Sequence, residues 1–324
     1  MVTAVGQLSK AVDTALDRSV VGGFSSIGYA VRRRLPTWPA DPRPGALAGR
    51  SVVVTGASSG LGAQTVVDLV ALGAHVHVVV RNVDKARTAL ADHDVADRVT
   101  YWHCDVADLD SVRELATAFL AAAPPLHGIV HNAGALPPKR SESPQGHETT
   151  MAVHVLGPVL MTELLLPLMA GQDARVQLIT SGGMYAQALP VGDPEYLLED
   201  YAGSTAYARS KRAQVELLGI LQARWSGAHV YAVHPGWAKT PGVSESLPGF
   251  ARLTAPILRT TETGADTTAW LAAVQPAPPG GGLWHDRRER PTTFFGRNAA
   301  SDGDRRRMWE WVAAACGLEP TVRD

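Results

Sequence analysis

From residue 51 onward the chain alternates between two patterns. Short, largely apolar runs rich in β-branched residues occur at 51–54 (SVVV), 75–80 (HVHVVV), 99–104 (VTYWHC), 126–131 (LHGIVH), 175–180 (RVQLIT) and 229–234 (HVYAVH). Between them lie longer stretches whose apolar positions recur every three or four residues, at 63–73, 110–123, 147–169 and 205–225. Two more follow at 262–274 and 305–317. The short runs predict strands covered on both faces, and the longer ones predict helices. Each strand–helix–strand unit spans roughly 30 residues, the length of one βαβ unit. Repetition with right-handed crossovers predicts an α/β fold: a doubly wound parallel sheet with helices on both faces.

The N-terminal part breaks this pattern. Residues 1–35 predict one or two short helices ending in Arg32, Arg33 and Arg34. PTWPADPRPG at 36–45 predicts an extended linker, because proline biases the residue before it away from the helical region. The expected organisation is an N-terminal extension and linker over 1–46 and a single α/β domain over 47–318. With 324 residues, 45% of them hydrophobic, the chain can bury the core of one large domain. A net charge of −1 gives no basic footprint for nucleic acid. Two cysteines, Cys104 and Cys316, are too few for a disulfide framework, so a reducing, cytoplasmic setting is expected. No run of about 18 apolar residues stands out, and no basic segment followed by an apolar run opens the chain. Neither a membrane span nor a secretory leader is expected. Stretch 15–35 mixes apolar residues with a basic end, as a membrane-surface helix would. Gly22, Gly23 and Gly28 weaken a helix there, which favours an arm packed on the core or on a partner.

Candidate chemistry begins at the first strand-to-helix turn, TGASSGLG. Gly56, Gly60 and Gly62 allow a tight turn and close backbone approach to a ligand, and the following helix N-terminus presents N–H groups to a pyrophosphate. Thr55, Ser58, Ser59 and Leu61 complete the turn. At the end of the second apolar run, where an NAD-specific site places a carboxylate, the chain has Arg81 and Asn82. A guanidinium grips a 2′-phosphate that a carboxylate would repel, so NADP(H) is expected over NAD(H). Further on, Tyr207 and Lys211 stand four positions apart and share a helix face. A tyrosine of ordinary pKa, about 10, is a poor base near neutrality. A nearby ammonium would stabilise the phenolate and make a usable acid/base.

TGASSGLG (55–62), HNAG (131–134), ITSGG (179–183), YARSK (207–211) and HPG (234–236) occur in that order, each at a predicted strand end or on a helix. Together they resemble the short-chain dehydrogenase/reductase family. That resemblance implies a Rossmann-type fold and hydride transfer between a nicotinamide and an alcohol or carbonyl. It implies Tyr207 as general acid/base, Lys211 as the group that lowers its pKa and holds the nicotinamide ribose, and Ser181 as hydrogen-bond donor to the substrate oxygen. It places Asp105 and Val106 by the adenine, and Asn132, Ala133 and Gly134 along the cofactor. Pro235 and Gly236 open a loop to Thr240, which contacts the nicotinamide end. A narrower resemblance, from about 174 to 297, is to the twelfth-numbered dehydrogenase/reductase members of the family, which also carry an N-terminal extension. The family is often dimeric or tetrameric, so a homodimer or homotetramer is expected.

The sequence departs from the family at His154, which replaces the asparagine of a VNxLG-like motif. A neutral imidazole offers one donor and one acceptor. It could still hold a water, or titrate near pH 6.5 and carry charge beside Lys211, and the expectation is a working proton relay of altered pH dependence. The competing reading is a packed helix histidine and a weak or silent nucleotide-binding protein. The segment between Ser181 and Tyr207 is long for the family, and QALPVGDPEYLLEDYAG within it reads as a flap over the substrate cleft. Residues 241–258 fall where the family places its lid and are mostly apolar, which suits a lipophilic carbonyl or alcohol. A sugar-nucleotide epimerase shares the Tyr–Lys pair but requires GxxGxxG spacing and a larger C-terminal region. His75 and His77, alternate on one strand, read as packing residues, and no metal site is expected. Trp309 and Trp311 read as core or interface aromatics.

Overall fold

A computed structural model describes residues 4–122, 124–239, 248–294 and 296–321. Among these, eight strands form one sheet in the order β3-β2-β1-β4-β5-β6-β7-β8. They are β1 Ser51–Thr55, β2 His75–Val80, β3 Val99–His103, β4 Leu126–His131, β5 Ala174–Ile179, β6 Ala228–Val233, β7 Gly282–His285 and β8 Arg288–Arg290. All neighbours pair in parallel except β8, which runs antiparallel to β7. This is the doubly wound Rossmann arrangement expected from the pattern.

The side-chain period of two explains why the strands are apolar throughout. Val52 and Val54 of β1 face a core with Leu69 and Trp270 on one side of the sheet. Val53 faces the other core, with Phe119 and Leu160. Burying each such Val, Leu or Phe contributes about 1.5–3 kcal/mol. The chain leaves β3 at one edge and returns at β4, on the far side of β1. That reversal opens a crevice at the carboxyl ends of β1 and β4.

Several elements differ from expectation. The stretch 205–225 forms two helices, Gly203–Glu216 and Leu218–Arg224, separated at Leu217. Short elements at Val83–Leu90 and at β7 and β8 had no clear periodicity. Helix Thr149–Met169 is 21 residues long with a mean hydropathy of 1.7, long and apolar enough to span a membrane, contrary to the expectation of no such run. Here 72% of that apolar window is buried inside the fold, and the helix packs on Leu109–Ala122 and on β4 and β5. Within it, Ala152–Leu156 makes a single π-helical turn.

The N-terminal region forms three helices, Ala4–Arg18, Val20–Phe24 and Ser26–Arg33. A chain of buried ion pairs ties them to the C-terminal third: Arg32–Asp13 (2.8 Å), Arg32–Asp286 (2.7 Å), Arg259–Asp286 (2.6 Å) and Arg290–Asp13 (3.0 Å). Each charge has an opposite charge within hydrogen-bond reach, the condition under which burial is tolerated.

Candidate active site

The crevice at the carboxyl ends of the strands holds a cleft of about 550 Å³. A second hollow, of about 420 Å³, lies at the opposite ends of the strands, beside Arg50, His75, Arg98 and His127. Ligands of doubly wound folds bind at the carboxyl ends, and only the first cleft gathers the predicted chemistry.

On its dinucleotide side, Gly56 has φ +70°, and a Cβ there would fall 2.6 Å from Ala133 Cα. Only glycine satisfies both the dihedral and the approach. Thr55 is buried and serves the frame: its Oγ1 accepts the N–H groups of Asn132 (3.1 Å) and Ala133 (3.0 Å). Asn132 returns its Nδ2 to the carbonyls of Thr55 and Gly56. The HNAG loop is thereby fastened to the glycine turn. Helix Gly60–Ala71 starts after Ser59, whose side chain makes no cap hydrogen bond. The first N–H groups of that helix are thus left for an anion, and the residues present fit a dinucleotide pyrophosphate. Gly56, Ser59, Gly60, Leu61 and Gly62 line the cleft, with Asn132 and Gly134. Ser58 does not.

Arg81, Asn82, Asp105 and Val106 sit at the ends of β2 and β3, outside this cleft. Arg81 faces Asp105 at 3.7 Å, both substantially exposed. Asn82 caps the helix Val83–Leu90 by accepting from Lys85 N (2.8 Å), and Val106 is buried. Thr240 lies outside the described residues, as do positions 241–247 of the expected lid. Residues 248–254 form a short helix.

Ser181, Tyr207 and Lys211 line the same cleft, with Pro235 and Gly236. Ser181 leaves β5, and Tyr207 and Lys211 project from one face of helix Gly203–Glu216. Thr180 Oγ1 donates to Lys211 O (3.1 Å) and Lys211 Nζ donates to Ile179 O (2.6 Å), so the end of β5 clamps this helix. Burial pushes the Lys211 ammonium down to about 7. It also pushes the Tyr207 phenol up, opposed by a hydrogen bond with the Ser181 hydroxyl. The direction at Tyr207 is opposite to the expectation from the Tyr–Lys pair. Desolvation outweighs the Ser181 hydrogen bond, and the Lys211 ammonium stands 5.5 Å from the ring centre, engaged with Ile179 O.

His154 is fully buried in the π turn, a feature common at functional sites. Its Nε2 accepts from Ala135 N (3.1 Å), which assigns the ring proton to Nδ1 and a donor bond to Ser210 Oγ (2.8 Å). Ser210 Oγ donates on to Tyr207 O (2.8 Å). Burial, then the nearby Lys211 charge, holds the imidazole well below the usual histidine range. Of the two readings, titration near pH 6.5 is corrected: His154 is a neutral strut between the HNAG loop and the Tyr207 helix, with both nitrogens engaged by protein groups.

The flap expectation also fails. None of residues 187–203 lines the cleft. Glu195 of that segment binds His147 Nδ1 (2.8 Å) and Glu148 N (2.7 Å), and Tyr201 donates to Glu148 (3.0 Å). The segment braces the start of the long helix instead. His75 and His77 hydrogen-bond Thr100 and Trp102. Trp309 is buried, and Trp311 packs edge-on to His147. Sequence reasoning missed the cleft residues Val20, Phe24, Leu136 and Trp237. Only Trp237 carried a signal, directly after HPG.

A doubly wound sheet, a glycine turn feeding an uncapped helix, and a Ser–Tyr–Lys group on one cleft define a dinucleotide-dependent oxidoreductase of alcohols and carbonyls. The sequence model of the short chain dehydrogenase family matches residues 50–249, and the chain belongs to that family. It is similar to the Bos taurus dehydrogenase/reductase SDR family member 12, with 33% identity over 81% of this chain and 84% of that protein. It is also similar to Homo sapiens retinol dehydrogenase 12, with 32% identity over 84% of this chain and 88% of that one. A Shigella flexneri short chain dehydrogenase solved with NADP has the same fold, at a TM-score of 0.60 and 22% identity, covering 76% of this chain and all of that one.

Proposed function

We propose that this protein is an NADP(H)-dependent oxidoreductase that transfers a hydride between nicotinamide and a lipophilic carbonyl or alcohol, with Ser181, Tyr207 and Lys211 as its acid/base site. The observation that carries this reading is their convergence, with the glycine turn, on a single cleft. When bound, the nicotinamide supplies or accepts the hydride. Tyr207 gives its phenolic proton to the carbonyl oxygen as hydride reaches the carbon, and takes it back in the alcohol-to-carbonyl direction. Ser181 donates to the same oxygen, where negative charge develops. A phenol held protonated by burial is the form that donates, which suits carbonyl reduction. Lys211 would hold the nicotinamide ribose, and Arg81 the 2′-phosphate that separates NADPH from NADH. Val20, Leu136, Ala208 and Trp237 make the substrate end apolar. The name of the retinol dehydrogenase relative agrees with a lipophilic substrate.

The alternative, a non-catalytic dinucleotide-binding protein, rests on His154. The test is a panel of carbonyl compounds with NADPH and with NADH, run for the wild type and Tyr207→Phe. Wild type should turn over lipophilic carbonyls faster with NADPH. Tyr207→Phe should lower kcat roughly 10²–10⁴-fold with NADPH affinity retained. Undiminished turnover in Tyr207→Phe would refute the mechanism. NADPH binding without turnover on any compound would favour the alternative.

A further inference from the structure

The N-terminal arm reaches the active-site cleft. Val20 and Phe24 line it alongside Ser181–Gly183 and the Pro235–Ala238 loop. Val20 is 44% exposed, so its side chain stands in accessible space. Phe24, at 2%, is locked in place. The Phe24 ring meets the edge of His234 with centroids 4.3 Å apart, and His285 at 5.3 Å. It also touches the backbone next to Ser181: a Cβ on Gly182 would lie 3.1 Å from Phe24 Cε2.

The backbone of the arm is fastened from below. Arg259 donates to the carbonyls of Gly23 (3.1 Å), Phe24 (3.0 Å) and Ser25 (3.2 Å) and pairs with Asp286. Its guanidinium packs under the HPG turn so tightly that Gly236 has no room for a Cβ. Trp237 N donates to Phe24 O (2.8 Å). Arg32 Nη1 holds Gly23 O (2.8 Å) and Asp286 together. Residues 23–25 are thus registered against both loops of the substrate end, and Val20 begins the short helix that leads into them. A bracing role alone would explain Phe24 and the carbonyl clamp. It would not place Val20 in the cleft.

We propose that the N-terminal arm is a structural part of the substrate site: Phe24 anchors it against Ser181–Gly183, and Val20 is a specificity-determining residue that limits the size of the carbonyl compound admitted. The inference builds on the oxidoreductase reading above, and it makes the extension a component of specificity.

The experiment uses the full chain and three forms, wild type, Val20→Ala and Val20→Trp, with a series of alkyl aryl ketones of increasing bulk and saturating NADPH. Val20→Trp should raise KM for the bulkiest ketone relative to the smallest at least about 10-fold compared with wild type, since a few methylenes of apolar pocket discriminate by that much. Val20→Ala should shift the size profile the other way. Size profiles parallel to wild type in both variants would overturn the inference. Should no ketone be reduced by any form, the oxidoreductase reading fails separately, and the arm is still read by direct binding. Anilinonaphthalene sulfonate, titrated against each form with NADPH present, should bind Val20→Trp roughly 5-fold more weakly than wild type. Equal probe affinity in all three forms would overturn the inference without any reference to turnover.

Discussion

The two walls of the cleft are built by different means. On the dinucleotide side, Gly56, Ser59, Gly60 and Gly62 come from one eight-residue turn, closed onto Asn132 and Ala133 by Thr55. Contacts there run between neighbouring strands, and the glycines announce the geometry locally. On the substrate side, the wall joins Val20 and Phe24, Ser181–Gly183, Tyr207 and Trp237, positions spread over most of the chain. It is held by charges buried between the arm and the segment 259–290. A wall made of local backbone geometry should tolerate distant substitutions, whereas one made of long-range ion pairs should not.

The strongest way to break that contrast is Asp286→Ala. Asp286 is 1% exposed and neutralises both Arg32 and Arg259. Burial pushes its carboxyl up, but His285 and the Arg259 and Arg32 guanidiniums beside it hold it well below the usual range. Removing it leaves Arg259 buried without an acid and should cost about 3–5 kcal/mol of unfolding free energy, read by denaturant titration. NADPH affinity should stay at the wild-type value. An equal loss of NADPH binding would show that the two walls are not independent.

The same contrast explains what the sequence made legible. The strands, the long helices and the glycine turn follow from periodicity and short motifs, the Ser181–Tyr207–Lys211 set follows from the family resemblance that those motifs carry, and the structure brings those residues to one cleft. The arm was not legible in this way. Nothing near Val20 or Phe24 says that residues 20–24 will meet position 182 or 237. The signal lies in arginines and aspartates more than 200 positions apart, Arg32 with Asp286 and Arg290 with Asp13, which one sequence cannot pair. His154 failed for a related reason. The family motif it departs from places it beside Lys211, but its behaviour is set by Ala135 and Ser210, and by complete burial. Tyr207 shows the same limit, since spacing located its partner and burial decided the direction of its pKa.

Lys211 stands where the two walls join and gives a pH-dependent test. Its folded pKa, about 7, lies below its unfolded value near 10.5. Between those values the unfolded chain binds more protons, so this group makes stability rise with pH across that window. Below about 7 the cost of burying the ammonium is fully present. Lys211→Met should remove that rise. Wild type should gain stability, on the order of a few kcal/mol, between pH 7 and 10.5 relative to the variant. Parallel stability curves for the two proteins over that window would refute the shifted lysine.

The smallest effects belong to the rim of the dinucleotide wall, where the Arg81–Asp105 pair is 3.7 Å long and its side chains are 73% and 38% exposed. Arg81→Ala should weaken NADPH binding roughly 10-fold, the low end for a charged hydrogen bond, and leave NADH binding unchanged. On the proposed NADP(H) reading, Asp105 would work against the 2′-phosphate by competing for the guanidinium and by like-charge repulsion. An exposed pair of this length contributes less than about 1 kcal/mol. Asp105→Asn should therefore tighten NADPH no more than about 5-fold, with little change for NADH. Titration of both dinucleotides against wild type and the two single variants decides it. Tightening of NADH equal to that of NADPH would mean that Asp105 acts on the adenosine and not through Arg81.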